Sequence, residues 1–173
     1  MLEFSVENFR SFADKQTFTM YAKEKNNIAG STLICKYKGQ DGVLKSEKLF
    51  KTSIIYGLNN SGKSNFIGAL ELIRETVKKS YEDGLPFKNN SQYFRLKQQY
   101  RNKPSSFEII FVGDDKIRYE YSFSLDNIRV YNEKLIGYPK GQPKLYFSRE
   151  YNEKTEKYNY DTLNLIGNSK VQV

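Results

Sequence analysis

The residues with the clearest chemistry occupy positions 57 to 64, which read Gly57-Leu58-Asn59-Asn60-Ser61-Gly62-Lys63-Ser64. This is a complete G-x-x-x-x-G-K-S/T pattern, the sequence of a phosphate-binding loop. Its glycines allow a tight turn, so that successive backbone N–H groups point into one concavity. We expect Lys63 to reach the outer phosphates of a nucleotide and the Ser64 hydroxyl to hold a magnesium ion. The pattern therefore predicts the polyphosphate of a nucleotide as the ligand.

A phosphate loop needs a buried strand before it and a helix after it. Residues 51–56 are a short run rich in strand-forming residues, which predicts a strand buried on both faces. After the loop, apolar residues recur at spacings of four, three and four, namely Phe66, Leu70, Ile73 and Val77. This spacing predicts a helix over residues 65–79. The alternative is a Gly/Asn/Ser turn that only resembles a phosphate loop, and both flanks argue against it.

The composition limits the classes of function. The 173 residues include 28 basic and 20 acidic ones, and the net charge of +8 favours anionic partners: nucleotide, nucleic acid or acidic protein. Because the sequence has no histidine, a mechanism that needs a histidine base or switch cannot be completed within it. The single cysteine, Cys35, excludes an internal disulfide framework. With no signal peptide and no membrane-spanning apolar run, we expect a cytoplasmic protein that does not bind membranes.

Patterning along the chain predicts a mixed architecture. Residues 2–7 and 16–22 alternate apolar and polar side chains, as two antiparallel strands do, and Asp41-Gly42 predicts a hairpin turn. From Ser105 onward the pattern predicts an antiparallel meander with one solvated face. Its expected strands are 107–111, 117–125, 128–138 and 144–149, with a further short one near 158–160. This order differs from the βαβαβ alternation of small kinases and GTPases.

These motifs resemble the N-terminal half of an ABC-type ATPase head of the SMC/RecF/OLD group. Such heads begin with a strand that ends in an Asn-Phe-Arg-Ser type motif, here residues 8–12, followed by an antiparallel strand. Their phosphate loop has the form G-x-N-x-S-G-K-S/T, here residues 57–65, and this version is similar to OLD-like and abortive-infection ATPases of prokaryotic phage defence. Residues 101–109 and 138–141 resemble segments of the β-lobe in that branch. The similarity therefore covers most of the chain.

The resemblance implies an α/β fold with α+β character. It implies a P-loop NTPase half-domain of ABC-head type, in which a phosphate-loop strand and helix adjoin an antiparallel β-lobe. Residues 1–79 would contain the β-ribbon, the phosphate loop and the helix, residues 80–104 a basic connection, and residues 105–173 the β-lobe. We recognise no motif of the C-terminal lobe of such a head in this sequence. We therefore expect an N-terminal fragment or one half of a split head.

The resemblance also implies which residues hold ATP or ADP with Mg²⁺. The implied set is Gly57, Asn59, Asn60, Ser61, Gly62, Lys63, Ser64, Asn65, Arg10 and Ser11. Asn60 would line the phosphate cradle, although heads of the repair type usually carry glycine there. Arg10 and Ser11 would approach the nucleotide from the neighbouring strand end, because arginine neutralises phosphate charge with a fixed geometry. Ser64 would be the metal ligand, and no residue is predicted to be catalytic.

Several parts of a hydrolysing head are not recognisable, namely an Asp-Glu strand end, a Ser-Gly signature loop and a switch histidine. Asp114 and Asp115 follow an apolar run, but Gly-Asp-Asp before an alternating strand predicts a hairpin turn rather than a catalytic pair. We therefore expect weak nucleotide binding and negligible turnover by this chain alone. Hydrolysis would depend on a C-terminal ATPase lobe or a second head in a dimer.

Three functions and one further surface stay open. The first function is the nucleotide-binding part of an ABC-type ATPase in DNA repair or antiviral defence, with DNA or a nuclease-type effector as partner. The second is a small phosphotransferase, which the β-meander argues against, and the third is a non-catalytic nucleotide-responsive module. Residues 87–104 mix basic and aromatic residues without an acid. They are either a solvated connection, which we favour, or a surface for single-stranded DNA.

Overall fold

The structure, a computed structural model, describes residues 1–22, 29–39, 43–79 and 92–162. Its strands and helix are β1 (Glu3–Glu7), β2 (Gln16–Thr19), β3 (Thr32–Lys38), β4 (Leu44–Phe50), α1 (Lys63–Lys79), β5 (Ser105–Val112), β6 (Arg118–Leu125), β7 (Val130–Gly137), β8 (Lys144–Asn152) and β9 (Lys157–Thr162). A short 3-10 turn covers Gln98–Tyr100. This confirms a mixed α/β fold with one described helix and a mostly antiparallel sheet.

Seven of the strands form one sheet in the order β2-β1-β5-β6-β7-β8-β9. Strands β5 to β9 are consecutive antiparallel hairpins, which confirms the predicted meander and its last strand near 158–160. Strand β1 pairs with both β2 and β5, so the N-terminal strands and the meander share one sheet. Strands β3 and β4 pair separately as the predicted hairpin, whose turn residues 40–42 lie outside the described residues.

One face of the sheet packs against α1, and the core lies between them. The buried helix residues Ala69, Leu72 and Ile73 contact phenylalanines of the sheet, and the rings of Phe107 and Phe123 stack at 5.1 Å. Val77, predicted on the buried stripe, is 56 % exposed, because the stripe of α1 continues through Thr76 instead.

No helix in the described part of the chain has the length and apolar character needed to cross a lipid bilayer.

Residues 51–56 do not form the buried strand that their sequence predicts. The segment has no strand conformation, and the side chains of Ile54 and Tyr56 are 83 % and 90 % exposed. A strand buried on both faces needs a neighbour on each side to pair with its N–H and C=O groups. Among the described residues, no strand takes either position. The prediction of a buried strand here is therefore wrong, whereas the helix after the loop is confirmed.

Asp114 and Asp115 lie in the hairpin turn between β5 and β6, as predicted. The turn is closed by a hydrogen bond from Lys116 N–H to the Gly113 carbonyl at 3.0 Å. The Asp115 carboxylate accepts from Ile117 N–H at 2.9 Å and from the Tyr119 hydroxyl at 2.7 Å. The first of these bonds is the main cause that lowers the pKa of Asp115. Both carboxylate oxygens of Asp115 therefore hold the turn.

Candidate functional site

The loop of residues 57–64 leads directly into α1, which begins at Lys63. Two positive φ angles, 66° at Asn60 and 94° at Gly62, turn the chain in front of the helix. Glycine adopts such angles without strain, and asparagine is among the few other residues that tolerate them. Asn60 therefore takes a left-handed conformation that a glycine at this position would also favour.

The N-terminal motif at residues 8–12 contacts the loop although the two are far apart in sequence. A Cβ atom at Gly62 would lie 2.9 Å from Ser11 Oγ, so a side chain there would displace the Ser11 hydroxyl in addition to straining the backbone. Ser11 Oγ also accepts a hydrogen bond from Asn65 Nδ2 at 2.9 Å. The structure thus brings together Ser11, Gly62 and Asn65, all three of which the sequence predicts for the site.

The N-terminus of α1 presents backbone N–H groups that have no acceptor within the part of the chain that the structure describes. Phe66 N–H donates to the Gly62 carbonyl at 3.0 Å, whereas the N–H groups of Gly62, Lys63 and Ser64 have no acceptor among the described residues. A helix carries partial positive charge at these first N–H groups, which favours an anion. A cavity of about 660 Å³, lined by residues 59–65, adjoins them. These donors fit the phosphate groups of a nucleotide.

The Lys63 ammonium group is held by the loop itself. Its Nζ atom donates to the carbonyl oxygens of Gly57 at 2.8 Å and Leu58 at 2.6 Å, with Ser61 Oγ at 3.4 Å. The turn is compact at Gly57, where a Cβ would lie 2.8 Å from Ser61 Oγ and would displace that hydroxyl from Lys63. Lysine has a flexible four-carbon stem, so its ammonium group can exchange these carbonyl oxygens for phosphate oxygens.

The Ser64 hydroxyl lies on the second residue of α1, where its side chain is exposed and lines the loop cavity. In the described ranges, no three His, Cys, Asp or Glu side chains converge into a cluster that could hold a metal ion. Mg²⁺ commonly keeps several waters and takes its remaining ligands from one or two protein groups and substrate phosphates. A single hydroxyl beside the phosphate position fits that mode of binding.

Arg10 lies beside α1. Its backbone N–H donates to the Gln92 carbonyl at 2.6 Å and its Nε atom to Gln92 Oε1 at 2.7 Å. Its guanidinium group packs over Gly68, where a Cβ atom would lie 2.5 Å from Nη1. Gln92 is thus a site neighbour that sequence reasoning did not assign, and a lone glutamine in a polar segment gives no signal. Contact between Arg10 and a nucleotide stays a prediction.

Asn8 is a second residue whose role the sequence did not reveal. Its side chain is buried, with 2 % exposure, and its Nδ2 atom donates to the carbonyls of Tyr100 at 3.0 Å and Lys103 at 2.7 Å. Its Oδ1 atom accepts from Phe94 N–H at 3.0 Å. Asn8 therefore fixes the segment 92–104 to the end of β1, two residues before Arg10. Its place in the Asn-Phe-Arg-Ser motif was the available signal.

The segment 92–104 is therefore more ordered than a solvated connection. Phe94 and Tyr100 are buried and pack edge to face with ring centroids 5.5 Å apart. The Tyr100 hydroxyl donates to Asp14. These two aromatic residues thus belong to the core, and the prediction of a simple connection is wrong for them. Residues 87–91 of the predicted basic surface lie outside the described residues.

Comparison with known families gives a match over more than half of the chain. The family model described as "AAA domain, putative AbiEii toxin, Type IV TA system" matches residues 53–158. The matched part begins just before the phosphate loop, includes α1 and extends into β9. The search of the curated proteins and the search of the solved structures gave no match.

Proposed function

The chain belongs to this family of AAA domains, and from that premise we propose that it is the ATP- and Mg²⁺-binding N-terminal lobe of an ABC-type ATPase. Membership supports a nucleotide-binding, ATPase-like function, and the family generally uses ATP and Mg²⁺. The observation that carries the proposal is the loop at the start of α1. There the N–H groups of Gly62, Lys63 and Ser64 adjoin a cavity and lack acceptors among the described residues.

In this proposal the loop N–H groups bind the phosphates. Lys63 releases the carbonyls of Gly57 and Leu58 and pairs with the outer phosphates, and Ser64 ligates Mg²⁺. The left-handed Asn60 shapes the cradle. The remaining proposed contacts, which surround the cradle, are Asn59, Ser61, Asn65, Arg10 and Ser11.

We infer that a C-terminal ATPase lobe, or a second head in a dimer, completes the site. The support is the exposed apolar run before the loop, where Ile54, Ile55 and Tyr56 are 83 %, 42 % and 90 % exposed. Contiguous exposed apolar side chains mark interaction surfaces, and an unpaired strand-forming run can accept neighbouring strands. The partner would supply the acidic and signature residues for hydrolysis, so turnover by this chain alone is negligible.

We place this lobe in a cytoplasmic SMC/RecF/OLD-like ATPase of DNA repair or phage defence, with DNA or a nuclease-type effector as partner. The contact of the motif at residues 8–12 with the loop supports that placement, and the net charge of +8 suits an anionic partner. A non-catalytic nucleotide-responsive module is the second candidate, favoured by the absence of an acidic cluster in the described residues. The antiparallel sheet argues against a small phosphotransferase.

Binding of a fluorescent ATP analogue in the presence of Mg²⁺ tests the proposal. We expect Lys63→Ala to weaken binding at least about tenfold, because the lysine supplies a charge-assisted bond to the phosphates. Lys78→Ala is the matched control, since it removes an exposed lysine from the far end of the same helix. Equal affinity of Lys63→Ala and the unaltered chain would refute the site. Hydrolysis by the purified chain that Lys63→Ala abolishes would refute the need for a partner.

A further inference from the structure

A second cavity, of about 300 Å³, lies between the segment 92–104 and the β6–β7 turn at residues 126–129. It shares no lining residue with the phosphate-loop cavity. Its lining includes two tyrosines, two basic residues and three side-chain amides, namely Tyr93, Tyr131, Arg101, Lys103, Gln92, Asn102 and Asn127. Aromatic rings, cations and amides are the groups that bind the base, the phosphate and the base edges of a nucleotide.

Both sides of this cavity are held in place by hydrogen bonds. On one side, Asn8 binds the backbone of the segment 92–104. On the other side, Asp126 Oδ1 accepts from the N–H groups of Ile128 at 2.7 Å and Arg129 at 2.8 Å. Asp126 Oδ2 accepts from the Tyr131 hydroxyl at 2.9 Å. Asp126, which also lines the cavity, thus orients the turn and the Tyr131 ring. Because this wall is already held in place, less conformational entropy is lost when a ligand binds.

The Tyr131 ring is the first of a row of four tyrosines, which we call the tyrosine ladder: Tyr131, Tyr151, Tyr158 and Tyr160. Successive ring centroids are 6.5, 5.2 and 6.0 Å apart. Because side chains alternate along a strand, these residues of β7, β8 and β9 lie on one face of the sheet. None of the four belongs to the described core cluster that α1 covers, and Tyr160 is 55 % exposed.

Basic groups accompany the aromatic rings. The Arg129 guanidinium lies 4.2 Å from the centroid of the Tyr151 ring, and that of Arg149 lies 5.7 Å from Tyr158 while pairing with Glu133. The segment 92–104 adds four basic residues and no acidic one. The surface therefore combines an aromatic row with net positive charge on one flank.

We propose that the cavity and the tyrosine ladder form a binding site for single-stranded nucleic acid. One nucleotide occupies the cavity between Tyr93 and Tyr131, with its phosphate near Arg101 and Lys103. A following base stacks at the far end of the ladder on Tyr160, the exposed ring of the four, since every base offers a π-face to an aromatic ring. A duplex hides those faces, so the site selects single strands over duplex. This site shares no lining residue with the phosphate-loop cavity, and Gln92, which lines it and binds Arg10, connects the two regions. Binding of the single strand does not require a nucleotide at the phosphate loop.

Fluorescence anisotropy with a labelled oligothymidylate of about 15 nucleotides, within the usual site size, tests the proposal. We expect Tyr160→Ala to weaken binding about tenfold, because it removes the ring on which one base stacks. Tyr160→Phe keeps the ring and retains the affinity. Replacing both Arg101 and Lys103 by alanine lowers the affinity and reduces the slope of log Kd against log salt by about 1.4, since each phosphate contact contributes about 0.7.

Two controls separate this site from general charge and from the phosphate loop. Lys140→Ala removes an exposed basic residue from the turn at the opposite ends of β7 and β8, and it leaves binding unchanged. Lys63→Ala also retains oligonucleotide binding. The proposal is overturned if the chain does not bind the oligonucleotide, if a duplex of equal length binds as tightly, or if Tyr160→Ala binds like the unaltered chain. Loss of binding in Lys63→Ala would overturn the separation of the two sites.

Discussion

Asn65 Nδ2 donates a hydrogen bond to Ser11 Oγ at 2.9 Å and so joins two residues that are 54 positions apart in sequence. Ser11 follows the end of β1, and Asn65 lies in the first turn of α1. The same Ser11 oxygen limits the space at Gly62. The shape of the phosphate loop therefore depends on the N-terminal motif as well as on the loop residues.

Gly62→Ala should destabilise the phosphate loop by more than the strain of its backbone angle alone would. The φ of 94° disfavours any side chain by about 1–2 kcal/mol, and the new methyl group would meet Ser11 Oγ at 2.9 Å. Gly30→Ala is the matched control, because Gly30 has a φ of 78° but no described atom within 4 Å of the added methyl group. Urea unfolding and ATP-analogue binding would measure both variants. We expect Gly62→Ala to lose more stability than Gly30→Ala and to lose nucleotide binding.

Adding Ser11→Ala to Gly62→Ala should recover part of that stability, because it removes the oxygen that the new methyl group meets. The backbone strain remains, so recovery is incomplete. Equal stability losses in Gly62→Ala and Gly30→Ala would show that the contact with Ser11 does not limit residue 62.

Asn8→Ala should destabilise the whole fold. It leaves the carbonyls of Tyr100 and Lys103 and the N–H of Phe94 without their buried partner, which costs about 2–4 kcal/mol. Asn8→Asp should cost more, because a carboxylate would face carbonyl oxygens that now accept from Nδ2. Denaturant unfolding measures both. A cost of Asn8→Ala below about 0.5 kcal/mol, typical of surface changes, would contradict this role.

The parts of the fold with regular patterns were predictable from the sequence. Alternation predicted β5 to β9, and the glycine-rich loop with the following apolar stripe predicted α1. Residues 51–56 show the limit of this reasoning, because a buried strand also requires neighbours that the run itself does not specify. The same limit applies to the pairing of Arg10 with Gln92, since local periodicity does not reveal contacts between distant segments.

Alkaline pH should destabilise the fold through Tyr121. Burial, together with the Glu133 carboxylate that accepts its hydroxyl at 2.6 Å, raises the pKa of Tyr121 above its ordinary value of 10.0. The folded state therefore binds this proton more tightly than the unfolded state does. The resulting stability is fully present below pH 10.0 and is lost as the pH rises above that value.

The melting temperature of the unaltered chain should accordingly fall as the pH is raised past 10, and that of Tyr121→Phe should fall less steeply, since phenylalanine has no proton to lose. Tyr138→Phe is the comparison. The pKa of Tyr138 is also raised, but its ring is less buried than that of Tyr121, so we expect this variant to change the pH dependence less than Tyr121→Phe does. Identical pH dependence of the Tyr121→Phe variant and the unaltered chain would exclude Tyr121 as a contributor.

The exposed run at residues 51–56 should tolerate a polar substitution that the core does not. Ile54→Ser should change the free energy of unfolding by no more than about 0.5 kcal/mol, because the side chain is 83 % exposed. Ile73→Ser, which places a hydroxyl in the core where Ile73 is 6 % exposed, should cost several times as much. Ile54→Ser should also reduce concentration-dependent self-association, measured by sedimentation, since it breaks an apolar patch. If Ile54→Ser cost as much as Ile73→Ser, residues 51–56 would be buried in solution after all.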